Sequence, residues 1–343
     1  MQPLSARTEA ADHVYLPARK HCCATATERQ VFVLKRIYLT ADDHLTEIKT
    51  LEKGCWVHLQ NPTREEIDGL NARFHLDPTY LQAALDEEES ARIERDGDQT
   101  LIIVDIPYID DGETGAAYTT IPMGIVIVDD VIITVSTRES TVITDFTEER
   151  IRGFWTFKRT RFLLQILQRT ASRYLTYLKQ IDKSSQFIQK RLEKDMRNQD
   201  LLQMMKLEKS LVFFSTSLKG NEMVMERMLR TEMLRKYPED GELLEDVIIE
   251  NKQAMEMCSI YRNIISSTMD AFASIISNNL NIVMKVLTSL TVVLSIPTLF
   301  ASLWGMNVGV PFQNNPFGFW IVIAITVVAS LAAFVALWKR KMF

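Results

Sequence analysis

In 343 residues, 39 Lys and Arg stand against 44 Asp and Glu, a net charge of −5 that argues against a nucleic-acid partner. The four cysteines (Cys22, Cys23, Cys55 and Cys258) show neither zinc-site spacing nor the density of a disulfide-stapled domain. Charge is also unevenly distributed: although 24% of the chain is charged, Val286 to Trp338 contains no Asp, Glu, Lys or Arg.

Residues 1–30 lack a hydrophobic period and read as a poorly ordered extension. No charged-then-apolar signal opens them, so the large N-terminal part is expected to stay in the cytoplasm. His21 with the adjacent Cys22 and Cys23 supplies soft ligands but no tetrahedral set.

From about 31 to 150 the pattern is mixed. "QVFVLKRIYL", "CWVHLQ" and "TLIIVDIPYI" predict strands. "NPTREEIDGLNARF" predicts a helix with Thr63 and Glu66 in capping-box register. "LDPTYLQAALDEEE" predicts another, with Asp77 as N-cap and Pro78 at the first helical position. "AYTTIPMGIVIVDDVIITVST" predicts two strands joined by a tight turn near Asp129–Asp130. Interleaved this way, the elements point to a layered α/β domain.

No proline intervenes between Pro122 and Pro238, and residues 160–235 are filled with Leu, Met, Gln, Lys, Arg and Glu at helical spacing. Two or three long helices are expected there, and 151–284 as a whole is expected to hold the long cytoplasmic helices and the stalk. "KYPEDGE" at 236–242 predicts a turn, after which nothing stops a helix until the far end of the first apolar run. One helix from about 242 to 304 would be ~95 Å long, a stalk running from cytoplasm into membrane.

Within the uncharged stretch lie two apolar runs, about 286–304 and 317–338, each near the ~20 residues that cross a bilayer. The loop between them, residues 305–316, reads "GMNVGVPFQNNP" and cannot comfortably continue a helix. Lys285 precedes the first run and Lys339, Arg340 and Lys341 follow the second, whereas the loop is uncharged. The positive-inside rule then places both termini in the cytoplasm of a two-span protein of the cell membrane.

Alternating steps of three and four from Asn281 reach Met284, Thr288, Thr291, Ser295, Thr298, Ser302 and Gly305. Apart from Met284 every one is polar or small, although the surrounding span is mostly Leu, Val, Ile and Phe. Such a face serves either close helix packing or a water-filled pathway built by several copies around an axis. It offers neutral oxygens only, which suits a cation bound through its own water; Mg²⁺ is the hard cation most reluctant to shed that water. Anions would call for Arg or Lys rings.

"GMN" directly after an aromatic, at the outer end of the first of two C-terminal spans, resembles the signature of the CorA-type magnesium transporter family. "NIVMKVLTSLT" at 281–291 is similar to that family's pore-entry segment, and the basic "KRK" end and the order of the parts over 31–343 also match. The resemblance implies a funnel-shaped homopentamer in the lipid bilayer. Its first span lines the pore, and Gly305, Met306 and Asn307 form an outer mouth that binds hydrated Mg²⁺ through its waters. Met284 and Leu287 match the family's hydrophobic gate, and Asn281 its polar inner ring.

The resemblance also implies that cytoplasmic Mg²⁺ between subunits holds the pore shut. Asp246 in "LLEDVIIENK" and Asp270 match stalk positions of that regulatory site. The partner's place in the α/β domain is taken by Ala83, with Asp86, Glu87, Glu88 and Glu89 just beyond. Pro297, in "IPTLF", lies one residue later than in comparable members. Co²⁺ and Ni²⁺ are expected to pass as magnesium mimics. A zinc transporter and a non-transporting coiled-coil scaffold are the alternatives. Neither a Walker sequence nor a catalytic triad signature occurs, so neither an organic cofactor nor an enzyme is expected.

Overall fold

The computed structural model describes residues 34–42, 44–112, 115–230, 238–311 and 316–340. The extension over 1–30, with its Cys22–Cys23 pair, and Lys341 lie outside the described residues. Among the described residues seven strands are formed: β1 (Leu34–Ala41), β2 (His44–Ile48), β3 (Trp56–Gln60), β4 (Arg92–Asp96), β5 (Gln99–Gly112), β6 (Gly115–Val128) and β7 (Val131–Ser136). They make one sheet in the order β2-β1-β3-β7-β6-β5-β4. All neighbours are antiparallel except β3 and β7, which run parallel.

Alternation along the central strands divides the core into two layers. Leu101, Ile103, Val126, Ile133 and Val135 point to one face, where α1 (Arg64–Phe74) and α2 (Pro78–Ala83) add Ile67, Leu70, Tyr80 and Leu81. Ile102, Val104, Ile125 and Ile132 point to the other, against α3 (Thr141–Thr147), α4 (Arg159–Lys194), α5 (Asn198–Leu229) and the start of α6 (Pro238–Trp304). α2 lies so close to β6 that a Cβ on Gly124 would meet Ala84 Cβ at 2.5 Å. A side chain there would push α2 off the sheet.

Local chemistry explains the helix starts. Thr63 Oγ1 accepts from the Glu66 backbone N–H at 3.4 Å, and Glu66 Oε2 accepts in return from the Thr63 N–H at 3.0 Å, completing the capping box. Asp77 caps α2 by accepting from Thr79 N–H at 2.8 Å. Between β6 and β7 the chain turns over Asp129 and Asp130, with Asp129 at φ 49° and Val128 paired to Val131. α6 begins at Pro238, earlier than the turn predicted over 236–242. Proline has no N–H to lose in the first turn, so Pro238 starts the helix instead of delaying it.

Two buried polar links tie helices to the sheet. β4 pairs with β5 only as far as Ile103, leaving Asp105 on an open edge. There Asn221 of α5 accepts from the Asp105 N–H at 2.9 Å and donates to its carbonyl at 2.7 Å. Fully buried Asp145 of α3 receives Nε–H of Arg169 at 2.5 Å and both donor groups of Arg173, both on α4. Burial alone would push Asp145 up, but these hydrogen bonds outweigh it and hold its carboxyl below the usual range.

His58, on β3, is buried, and burial together with the Arg36 charge pushes its imidazole down to about 4. Its Nδ1 lies 3.0 Å from Thr134 Oγ1, which itself accepts from Trp56 Nε1–H at 2.8 Å. The folded chain therefore keeps His58 neutral, whereas the unfolded chain protonates it below ~6.5. Between those values the unfolded state binds more protons, so stability rises with pH and is lost as the solution is acidified. Acidification through that window should remove up to ~3 kcal/mol. In thermal unfolding of the detergent-solubilised protein at pH 7 and 4.5, His58→Gln should show the smaller difference. An equal difference in both proteins would contradict this assignment.

Beyond the sheet α4, α5 and α6 continue as a three-helix bundle, with Tyr174, Leu178, Leu211, Phe214, Ala254, Cys258, Ile265 and Phe272 in its core. Phe272 is the last buried apolar residue of α6. From Ala273 to Trp304 only Ser289 is buried. α6 spans 67 residues, a rod of ~100 Å, and α7 (Gly318–Lys339) returns beside its far end.

Candidate functional site

The terminal halves of α6 and α7 expose large apolar side chains that water would not tolerate, among them Leu290, Leu294, Leu299, Leu303, Val327, Val328 and Leu331. Both helices are long and apolar enough to cross a membrane. Aromatic residues mark both ends of this region: Trp304, Phe317, Phe319 and Trp320 near the connecting loop, and Phe334 and Trp338 beside Lys339 and Arg340. The amphipathic indoles of Trp304, Trp320 and Trp338 and the basic residues at those levels suit the two interfaces of a bilayer.

α7 covers one face of α6. The α6 residues that lose exposure in this region are Ser289, Val293, Ile296, Phe300 and Trp304, which at 3.6 residues per turn fall within about 80° of one another. Met284, Thr288, Thr291, Ser295, Thr298, Ser302 and Gly305 are all exposed and centre about 180° away. Asn281 and Leu287 are exposed as well. The polar stripe therefore plays no part in packing between the two spans of one chain. It faces outward, where lipid would offer its oxygens no hydrogen-bond donor.

The hydroxyls of the stripe are oriented by the helix itself. Thr291 Oγ1–H donates to Leu287 O at 2.8 Å, Ser295 Oγ–H to Thr291 O at 2.7 Å and Thr298 Oγ1–H to Leu294 O at 3.2 Å. Each proton is spent on the backbone, so the oxygens present lone pairs to the exterior. The result is a row of neutral acceptors. Water molecules around a cation point their hydrogens away from it, and these are the groups such a row can take up.

The stripe ends in the loop. Gly305 N–H donates to Ala301 O at 3.0 Å, extending the helical pattern by one residue, and its φ is not positive. A Cβ here would sit 3.2 Å from Ala301 O, a tight contact that a shift of a few tenths of an ångström would relieve. Met306 and Asn307 follow, both exposed. Trp304 Nε1–H donates to Pro311 O at 3.2 Å across the bend, a contact with no local sequence signature.

The family model described as CorA-like Mg2+ transporter protein matches residues 52–341. The chain belongs to the CorA-like family. It is a divalent cation transporter of the membrane, and not an enzyme. It is 28% identical over 296 residues to the cobalt/magnesium transport protein CorA of Methanocaldococcus jannaschii, covering 83% of this chain and 90% of that one. The corresponding protein of Thermotoga maritima is 25% identical over 202 residues, covering 57% of this chain and 58% of its own length. The complete structure of the CorA magnesium transporter from M. jannaschii superposes with a TM-score of 0.78 at 25% identity, covering 90% of this chain and 98% of that one.

The acidic residues expected to sense Mg²⁺ in this CorA-like chain do not converge. Asp246 and Asp270 are exposed on α6, while Asp86, Glu87, Glu88 and Glu89 sit in the turn after α2. Glu87 Oε1 accepts from Arg138 at 3.2 Å, and Glu89 pairs with Arg92. Among the described residues no three His, Cys, Asp or Glu side chains come together as a metal site. One chain alone does not fit a regulatory ion; a second copy would have to complete the set.

Proposed function

We propose that this CorA-like chain is a channel-like Mg²⁺ transporter, assembled as a homopentamer in the plasma membrane with both termini in the cytoplasm. Residues 285–304 of α6 line the pathway, α7 faces lipid, and Gly305, Met306 and Asn307 form the outer mouth. The observation that carries this reading is the exposure of the oxygen stripe opposite the face that α7 covers. The described residues of one chain offer two spans, too few to enclose water, so symmetry-related copies of α6 must supply the rest of the wall.

The ion travels with its water. Carboxamide and hydroxyl oxygens accept hydrogen bonds from the hydration shell and release it readily, whereas a carboxylate ring would hold the divalent ion and slow its exit. Met284 and Leu287, both exposed on the same flank as the stripe, would close a constriction from which water is excluded. Thr288, Thr291, Ser295, Thr298 and Ser302 continue the path outward, and Asn281 continues it inward. Co²⁺ and Ni²⁺, as hydrated divalent ions, follow the same route.

The driving force is the membrane potential. A divalent ion gains ~4.6 kcal/mol on crossing ~100 mV, so transport needs no nucleotide. Gating by cytoplasmic Mg²⁺ would draw on Asp246, Asp270 and the Asp86–Glu89 turn contributed by neighbouring copies, a reading that rests on the family resemblance.

The test is Mg²⁺ uptake into liposomes carrying the purified protein. Uptake should rise under an inside-negative potential and fall when the potential is collapsed. Zn²⁺ uptake without Mg²⁺ uptake would shift the assignment to a zinc transporter, and no flux of either ion from assembled protein would leave a scaffold.

A further inference from the structure

Trp304 closes α6 at the point where the proposed pathway meets the outer solution. Its indole ring lies against Phe300, with centroids 6.4 Å apart, and its Nε1–H reaches forward to the carbonyl of Pro311 at 3.2 Å. Between these residues lie Gly305, Met306 and Asn307. The bond thus closes a ring of backbone that contains the whole mouth.

Packing gives this bend little support from below. Trp304, Gly305 and Val310 line an apolar cavity of about 1120 Å³ between α6 and α7, together with Pro297 and Val322. Gly305 has no side chain to anchor, and Met306, Asn307 and Val308 are exposed. The described polar contacts that tie the bend back to α6 are the Gly305 N–H bond to Ala301 and the indole bond to Pro311. The first holds only the residue at the helix end. The second holds the far side of the loop.

We propose that Trp304 is a positioning residue for ion recognition: its indole N–H clasps Pro311 and holds the Asn307 carboxamide at the mouth in the geometry that receives the hydrated ion. This rests on the reading of Asn307 as the mouth of the pathway. A loop released from the clasp populates the receptive geometry for only a fraction of the time, and apparent affinity falls by that fraction. One neutral hydrogen bond corresponds to a change of about fivefold. The constriction farther in is unchanged, so maximal flux is preserved.

The experiment compares wild type, Trp304→Phe and Asn307→Ala in liposomes at equal amounts of assembled protein, measuring uptake against Mg²⁺ concentration and in competition with Ca²⁺. Trp304→Phe keeps an aromatic ring and removes only the donor. The expected result is a half-saturating Mg²⁺ concentration about fivefold higher, weaker discrimination against Ca²⁺ and an unchanged maximum. A saturation curve and a Ca²⁺ competition identical to wild type would overturn the proposal, as would a lower maximum with both other quantities unchanged. If Trp304→Phe fails to assemble, Pro311→Gly takes its place, since it keeps the carbonyl but frees its position, and the same outcomes apply. Asn307→Ala separates the two levels: normal flux in that variant overturns the reading of the mouth itself, independently of the clasp.

Discussion

Replacing Ser295 by leucine is expected to lower Mg²⁺ flux about tenfold or more while insertion and assembly stay intact. Ser295 sits midway along the exposed stripe, and its oxygen is aimed outward because its proton is bonded to Thr291 O. In the proposed assembly leucine removes one acceptor from every copy and puts an apolar side chain into the path at the same level. If the stripe instead served helix packing, the same change would separate the helices and the oligomer would be lost before any flux was measured. Val292→Leu provides the comparison, because Val292 lies on the flank between the stripe and the face covered by α7. It should transport as wild type does. Chromatographic size together with flux distinguishes these outcomes.

The second large effect is expected at the mouth. Asn307→Ala should reduce Mg²⁺ uptake by about two orders of magnitude, since in the proposed pathway each copy loses a carboxamide that accepts hydrogen bonds from the ion's water. Asn307→Asp should behave differently. A ring of carboxylates attracts the divalent ion more strongly but releases it slowly, so half-saturation falls while maximal flux also falls. Uptake measured across Mg²⁺ concentration separates a mouth that no longer binds from one that binds too well. Equal kinetics for wild type, Asn307→Ala and Asn307→Asp would remove Asn307 from the pathway.

The parts of this protein governed by local chemistry could be read directly from its sequence. Thr63 and Glu66, Asp77 and Pro78, and the Asp129–Asp130 turn each specify their own structure within a few residues, and all three form as expected. The stripe on α6 was legible for the same reason, because helical periodicity alone puts Thr291, Ser295, Thr298 and Ser302 on one face.

What escaped was either weakly patterned or non-local. β2 reads "HLTEI" and β4 "RIERD"; both are edge strands with little buried surface, so their sequences carry the polarity of loops. α3 has only seven residues, several of them β-branched, and its position depends on the buried Asp145 bound by Arg169 and Arg173. The parallel pairing of β3 with β7 joins segments far apart in the chain and has no local signature. The "DEEE" run illustrates the same limit. Its composition suggested four available carboxylates, but folding brings Arg138 to Glu87 and Arg92 to Glu89. The bond from Trp304 to Pro311 was likewise invisible, because an indole at a helix end reads first as an interface anchor.

The central claim is that the stripe of α6 lines a water-filled path and the face opposite does not. Single cysteines placed along α6 in a chain whose four native cysteines have been replaced test it most directly. Cysteines at 291, 295, 298 and 302 should react with a membrane-impermeant, water-soluble thiol reagent and lose Mg²⁺ flux on modification. Cysteines at 293, 296 and 300 should stay unreactive and keep their flux. Equal reactivity on both faces, or reaction confined to the face beneath α7, would contradict the pathway.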